Sequence, residues 1–206
     1  MKKTLLPAFY LPPVSWFTVF LQQDAEIAIE QFEHFPKQTY RNRANIYGAN
    51  GKLSLIIPIH HNGKRVMNEI EVSDVENWRA LHWKSIKNAY QSSPYFEFYE
   101  DQLKRIFETD EQSLLLFNLN ALKILLSILK IEKEYILNTE YSAIFQGDDY
   151  RNHFSAKKPE TLNLEPYYQT FSDKLGFIED LSIIDLICNK GPESLTYLKH
   201  NSTKLV

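Results

Sequence analysis

Arg41 and Arg43 stand two residues apart in the stretch 39–59 (TYRNRANIYGANGKLSLIIPI), where a strand would ordinarily be more apolar. A guanidinium is a planar fork that matches two oxygens of a phosphate or carboxylate, so the pair could clamp an anion. Read as extended chain, Arg41, Arg43 and Asn45 share one face, and Tyr40, Asn42, Ala44 and Ile46 the other. Two guanidiniums beside a buried strand must be solvated, paired with carboxylates or open to an anion. Glu30, Glu33 and Glu69 are the local acids that would pair them. The cluster of Arg41, Asn42, Arg43 and Asn45 therefore has two readings, an anion-binding site or an internal ion pair.

His82 and Arg79 form a second group. On a helical wheel His82 falls in an apolar arc, where an imidazole could act as acid or base near neutrality. The competing reading is a core histidine bonded to the backbone. Tyr10 and the loop around Lys157 could close a site over these groups. His60 and His61 are adjacent and diverge on a strand, no histidine pair has helix spacing, and no metal site is expected. Asp185 fits a capping box with Ser182, whose reciprocal bonds would satisfy first-turn amides. Cys188, the only cysteine, reads as a small core residue rather than a nucleophile. Asn118 reads as an anchor bonding to backbone. The phosphate loop, the dinucleotide glycine turn and the serine elbow are all absent.

The elements that must position these residues follow from periodicity. Residues 4–6 end a first strand, Pro7, Pro12 and Pro13 stiffen a turn, 14–22 suit a short buried helix, and 24–30 alternate as a second strand. Strand, helix and strand in about 30 residues predict a parallel pair. Asn50-Gly51 predicts a tight hairpin turn, with 53–57 as a return strand buried on both faces and Pro58 ending it. Residues 66–72 alternate again. From residue 74 the period becomes helical: 78–91, 95–107, 111–130, a helix from 166 to Gly176, 181–189 and 193–200 are expected helices, and 139–165 a long loop. The fold class is mixed α/β, a single domain over 1–206. A small, mostly N-terminal mixed sheet with a parallel start and a polar hairpin packs on a largely helical C-terminal half.

Composition narrows the function classes. The 206 residues carry a net charge of −3 and a pI of about 6.1, with 44% hydrophobic residues. An acidic balance argues against a general nucleic-acid binder. No run approaches the roughly 20 apolar residues of a membrane span, no leader peptide is recognised, and the cytoplasm is the expected compartment. A homo-oligomer is compatible with the sequence, and the residues do not identify a cofactor.

The ordered motifs resemble the WbqC-like family of bacterial proteins. The resemblance rests on the turn from Pro7 to Pro12, YRNRANI with LIIPI, Asn77-Trp78-Arg79, His82-Trp83-Lys84, Tyr90, Pro94-Tyr95-Phe96, Asn118, Tyr167-Tyr168-Gln169 and GFIEDLSIIDLICNKGPESL. Many members carry His-Gln before the first proline, where this chain has Leu5-Leu6. The resemblance implies a link to surface-polysaccharide (O-antigen type) clusters and a similarity to transferases acting on sugars or their amino-acyl substituents. On that reading Arg41 and Arg43 would hold the anionic part of a nucleotide-sugar or activated acyl donor, and His82 would be the general base. The alternative is a non-catalytic ligand-binding or structural member of the same family.

Overall fold

Period-two alternation on either side of a short apolar helix makes the start of the chain a β-α-β unit. The computed structural model describes residues 2–60, 62–156 and 162–202. Strand β1 (Lys2–Pro7), helix α1 (Val14–Phe20) and strand β2 (Ala25–Glu30) form that unit. The two strands run parallel, in register from Lys2↔Ala25 to Pro7↔Glu30. Pro13 is extended at the N-cap of α1. All seven residues of α1 are buried, because α1 also packs on two C-terminal helices. The Trp16 indole N–H donates to the Pro7 carbonyl at 3.0 Å, which ties α1 to the end of β1.

The next pair is the hairpin of β3 (Arg43–Gly48) and β4 (Gly51–Ile56), antiparallel from Arg43↔Ile56 to Gly48↔Gly51. Its turn lies one residue earlier than the Asn50-Gly51 motif predicts. The central residues are Ala49 and Asn50, and Gly51 takes the positive angle, φ 102°. Strand β4 is also not buried on both faces. Leu55 is buried, but Leu53 and Ile56 are 42% and 45% exposed, because β4 is an edge strand of a two-stranded sheet.

Helices α2 (Trp78–Tyr90), α3 (Phe96–Arg105) and α4 (Leu114–Ile128) follow, then the short strands β5 (Tyr135–Leu137) and β6 (Asp148–Asp149). Helix α5 (Ser172–Leu175), α6 (Ile183–Lys190) and α7 (Ser194–Ser202) complete the chain. β5 and β6 join the first unit in one parallel sheet of order β5-β2-β1-β6. The alternation of 66–72 yields not a strand but a 3-10 turn at Met67–Glu69 with isolated bridges at Val66 and Val72. The helix expected from 166 is reduced to the four residues of α5, ending at Gly176 as anticipated. Asn77 caps α2 by accepting from the Ala80 N–H. No helix among the described residues is long and apolar enough to cross a membrane.

The inner face of the parallel sheet, with Leu6, Ile27 and Ile29, joins one core that runs through α1, α4 and α6. The outer face carries Leu5, Ala28 and Glu30 beneath the 138–145 segment. That segment closes on β1 at Gly147, where an added Cβ would fall 2.3 Å from the Lys3 carbonyl oxygen.

Candidate functional site

From β1 the chain passes through α1 to β2 on one side, whereas β6 flanks β1 on the other. Such a reversal opens a crevice at the carboxyl ends of the strands, the usual ligand position in open parallel sheets. The loops that leave those ends bring five charged side chains together. Arg41, 2% exposed, grips Glu33, 6% exposed, through Nε to Oε1 at 2.6 Å and Nη2 to Oε2 at 2.5 Å. Its Nη2 also donates to the Arg151 carbonyl at 3.0 Å, and its guanidinium lies over the Phe9 ring at 5.4 Å. Arg151 holds Asp149 through Nε and Nη2, and reaches Glu30 at 3.3 Å. Glu30 is fully buried. Its Oε1 accepts from the Phe32 N–H and the Asn138 amide, each at 2.7 Å.

These pairs are held in opposite electrostatic balance. Burial pushes the Glu33 carboxyl above its ordinary range, outweighing the pull of Arg41. The Arg151 hydrogen bond holds Asp149 below its own range against a smaller burial penalty. The first pair is thus costly and positional, since desolvation of two ions can exceed their attraction.

A second group lies where the 8–11 segment crosses the start of the hairpin. The Tyr10 hydroxyl meets His82 Nδ1 at 2.9 Å, and both residues are buried. Burial lowers the His82 pKa to about 4, opposed by a hydrogen bond with the Ile56 backbone, and pushes the Tyr10 hydroxyl well up. His82 is therefore a neutral ring at neutral pH, wedged edge-on against Trp78 at 5.1 Å. A base this weak abstracts a proton poorly unless a ligand alters its surroundings. Arg79 stacks over Trp78 at 4.6 Å, pairs with Asp74 and donates to the Glu111 carbonyl at 2.7 Å.

Asn118 joins the two groups. Its amide donates to the Arg41 carbonyl at 2.7 Å and the Ala8 carbonyl at 3.3 Å, while Tyr10 N–H donates to the Tyr40 carbonyl at 2.8 Å. Asn118→Ala removes both side-chain bonds and strands two buried carbonyls. It should cost about 2–3 kcal/mol in urea unfolding; a loss no larger than that of an exposed surface substitution would remove Asn118 from this role.

The remaining expected site residues divide. Asn42 donates to the Ile57 carbonyl at 2.9 Å, and Asn45 accepts from Ser54 at 2.7 Å and donates to the Tyr40 hydroxyl at 3.4 Å. Both amides thus stitch the hairpin to its surroundings. Arg43 stands apart. Among the described residues no carboxylate pairs with it, and its Nε is buried without a hydrogen-bond partner. Lys157 lies outside the described residues. The tight pairing of Arg41 is with Glu33, one of the three acids flagged beside it, while Glu30 is taken by Arg151. Arg151 and Asp149 were not anticipated; the only local signal was an acid and a guanidinium two residues apart in a stretch without periodicity.

Asp185 departs from its expected role. Ser182 caps α6, accepting from the Ile184 N–H at 3.4 Å, but the Ser182 N–H donates to the Asn45 carbonyl at 2.8 Å, so the reciprocal half of the box is absent. The Asp185 carboxylate instead accepts from the Tyr167 hydroxyl at 2.7 Å and the Gln169 amide at 2.8 Å. Burial pushes its pKa up to about 6. Among the described residues no group of three His, Cys, Asp or Glu side chains could hold a metal ion.

Comparison with known proteins adds three findings. A family model described as the WbqC-like protein family matches residues 8–155, more than half of the chain. A Mycobacterium tuberculosis protein (strain ATCC 25618 / H37Rv), described as "Uncharacterized protein Rv1507c", is 22% identical over 229 residues, covering 97% of this chain and 99% of its own length. No solved structure matches the chain.

Proposed function

The chain belongs to the WbqC-like protein family, and on that premise we propose that it binds an anionic small-molecule donor, such as a nucleotide-sugar or activated acyl group, in a transferase-like step of bacterial surface-polysaccharide precursor synthesis. The cytoplasm, where such donors are made, is the compartment that goes with this reading. The observation that carries it is Arg43. It is partly buried on the polar face of the hairpin, with its Nε unpartnered. A guanidinium in that condition is short of an acceptor, and an incoming phosphate or carboxylate supplies two. On this reading Arg41, Asn42, Asn45, Arg79 and Tyr10 are the accompanying binding residues, and His82, which meets the Tyr10 hydroxyl, is the candidate for proton transfer.

A panel of nucleotide-sugars and acyl-coenzyme A donors, scored by thermal shift, tests the reading. At least one should raise the midpoint of the wild type, and Arg43→Gln should abolish that rise while leaving the unliganded midpoint within a degree or two. A folded Arg43→Gln variant that keeps the full rise overturns it. One observation favours the alternative of a non-catalytic member: His82 is buried, with its Nδ1 already engaged by the Tyr10 hydroxyl at 2.9 Å. Turnover separates the two readings. Under the first, His82→Gln binds donor but turns over more slowly; under the second, no donor is consumed by either protein.

A further inference from the structure

The loop that Arg41 pins through Glu33 leads into a cleft built by a different set of contacts. Phe35 N–H donates to the Arg65 carbonyl at 2.7 Å, and His60 N–H to the Glu71 carbonyl at 2.9 Å. Single bridges join His34 to Val66 and Ile59 to Val72. Residues 34–37 thus form one wall and residues 59, 60 and 63–65 the other, tied by main chain rather than by side chains. The space between them is about 450 Å³, within the range of small-molecule sites.

Its chemistry is one-sided. Lys37, Lys64, Arg65, His34 and His60 line it, over a floor of Phe35, Ile59 and Ile70. No described carboxylate is part of that lining. Glu71 reaches Lys64 from outside, at 2.7 Å, with both side chains more than 40% exposed. This concentration of cations occurs in a chain whose net charge is −3, so it is a local feature and not a general basic surface. Like charges that face one another across one concavity repel unless an anion joins them. The apolar floor gives a reason for more than an inorganic ion, since it offers a face for a ring or an acyl chain. A nucleic-acid duplex would need a basic stripe extending well beyond one concavity.

We infer that the cleft between residues 34–37 and residues 59, 60 and 63–65 is a binding site for a phosphorylated small molecule, with its phosphates among Lys37, Lys64 and Arg65 and its organic part on the Phe35–Ile59–Ile70 floor. The site is separate from Arg43 and stands or falls on its own residues.

Calorimetric titration at low salt tests it with pyrophosphate, adenosine diphosphate and adenosine. Pyrophosphate should bind saturably, adenosine diphosphate more tightly, and adenosine not measurably. Lys37→Gln and Arg65→Gln should each weaken both phosphates by about tenfold, the loss of one charge-assisted contact. Glu71→Gln should tighten binding, because it frees Lys64. These side chains are exposed, so circular dichroism and melting should match the wild type. The inference is overturned if pyrophosphate does not saturate, if the Lys37→Gln/Arg65→Gln double variant binds like the wild type, or if adenosine diphosphate binds no tighter than pyrophosphate. Arg43→Gln separates the two sites. Loss of pyrophosphate binding there, with binding kept in Arg65→Gln, sinks this inference and leaves the Arg43 reading standing; the reverse pattern supports the cleft and leaves the Arg43 reading to its own donor panel.

Discussion

Glu33→Gln lowers the unfolding free energy by about 3–5 kcal/mol, the cost of leaving a buried guanidinium without its carboxylate. Arg41→Met costs less, about 1–3 kcal/mol, although it breaks the same pair. The asymmetry comes from the proton. Burial already pushes the Glu33 carboxyl up, so without Arg41 it takes a proton and becomes a neutral acid. Arg41 has no such escape, because a guanidinium stays charged in proteins. The double variant Glu33→Met/Arg41→Met should recover most of the loss, as two apolar side chains of similar volume often replace a buried ion pair without penalty. Urea unfolding of the four proteins closes the cycle. Equal costs below about 1 kcal/mol for the two single variants would mean that the pair behaves as a solvated one.

Asp185→Asn should stabilise the protein at pH 7.5, by up to about 3 kcal/mol, with the gain vanishing near pH 4. The sign follows from where the proton sits. The Asp185 pKa is raised from 3.8 to about 6. Its contribution is therefore fully present below the unfolded value and lost as pH rises through the folded one. Asp180, partly buried and bonded to Ser15 N–H and hydroxyl at 2.8 and 2.9 Å, is also raised to about 6 and acts in the same sense. His82 acts in the opposite sense. Its pKa is lowered from 6.5 to about 4, so its contribution is present above 6.5 and lost as pH falls toward 4. His82→Gln should remove that acid-side loss, again about 3 kcal/mol. Melting curves from pH 4 to 8 resolve the two arms. An Asp185→Asn profile parallel to the wild type would show that the carboxyl is ionised at no cost, contrary to its burial among Tyr167 and Gln169.

Much of the local architecture was legible because it follows short-range rules. Alternation at 24–30, prolines at 7, 12 and 13 and a compact apolar helix between them suffice for the parallel β1–β2 pair. Residues 135–137 read only as one possible short strand in an ambiguous stretch, and that strand is β5; β6 was not legible, and the place of both in the sheet is fixed by contacts more than 100 residues away. The apolar run 53–57 misled because a continuous hydrophobic strand is compatible with burial, yet the hairpin has no third strand to cover β4. At the candidate site, Arg41 and Arg43 stood out together, but nothing in the spacing told which would find a carboxylate; that was decided by the loop carrying Glu33. The cationic cleft had no sequence signal at all. Its two walls come from separate loops, and each lysine or arginine alone reads as an ordinary solvated side chain.

The last helices are laced into the first loops by main-chain bonds: Val14 N–H to the Leu181 carbonyl, Ile183 N–H to the Pro12 carbonyl, Ser182 N–H to the Asn45 carbonyl, and Tyr95 N–H to the Cys188 carbonyl. During synthesis the ribosome therefore delivers the amino-terminal portion well before its partners emerge. Until α6 and α7, through Ser202, clear the exit tunnel, α1 keeps a greasy flank uncovered and waits. A nascent chain halted near residue 155 should be captured by chaperones rather than settle into a protease-resistant form.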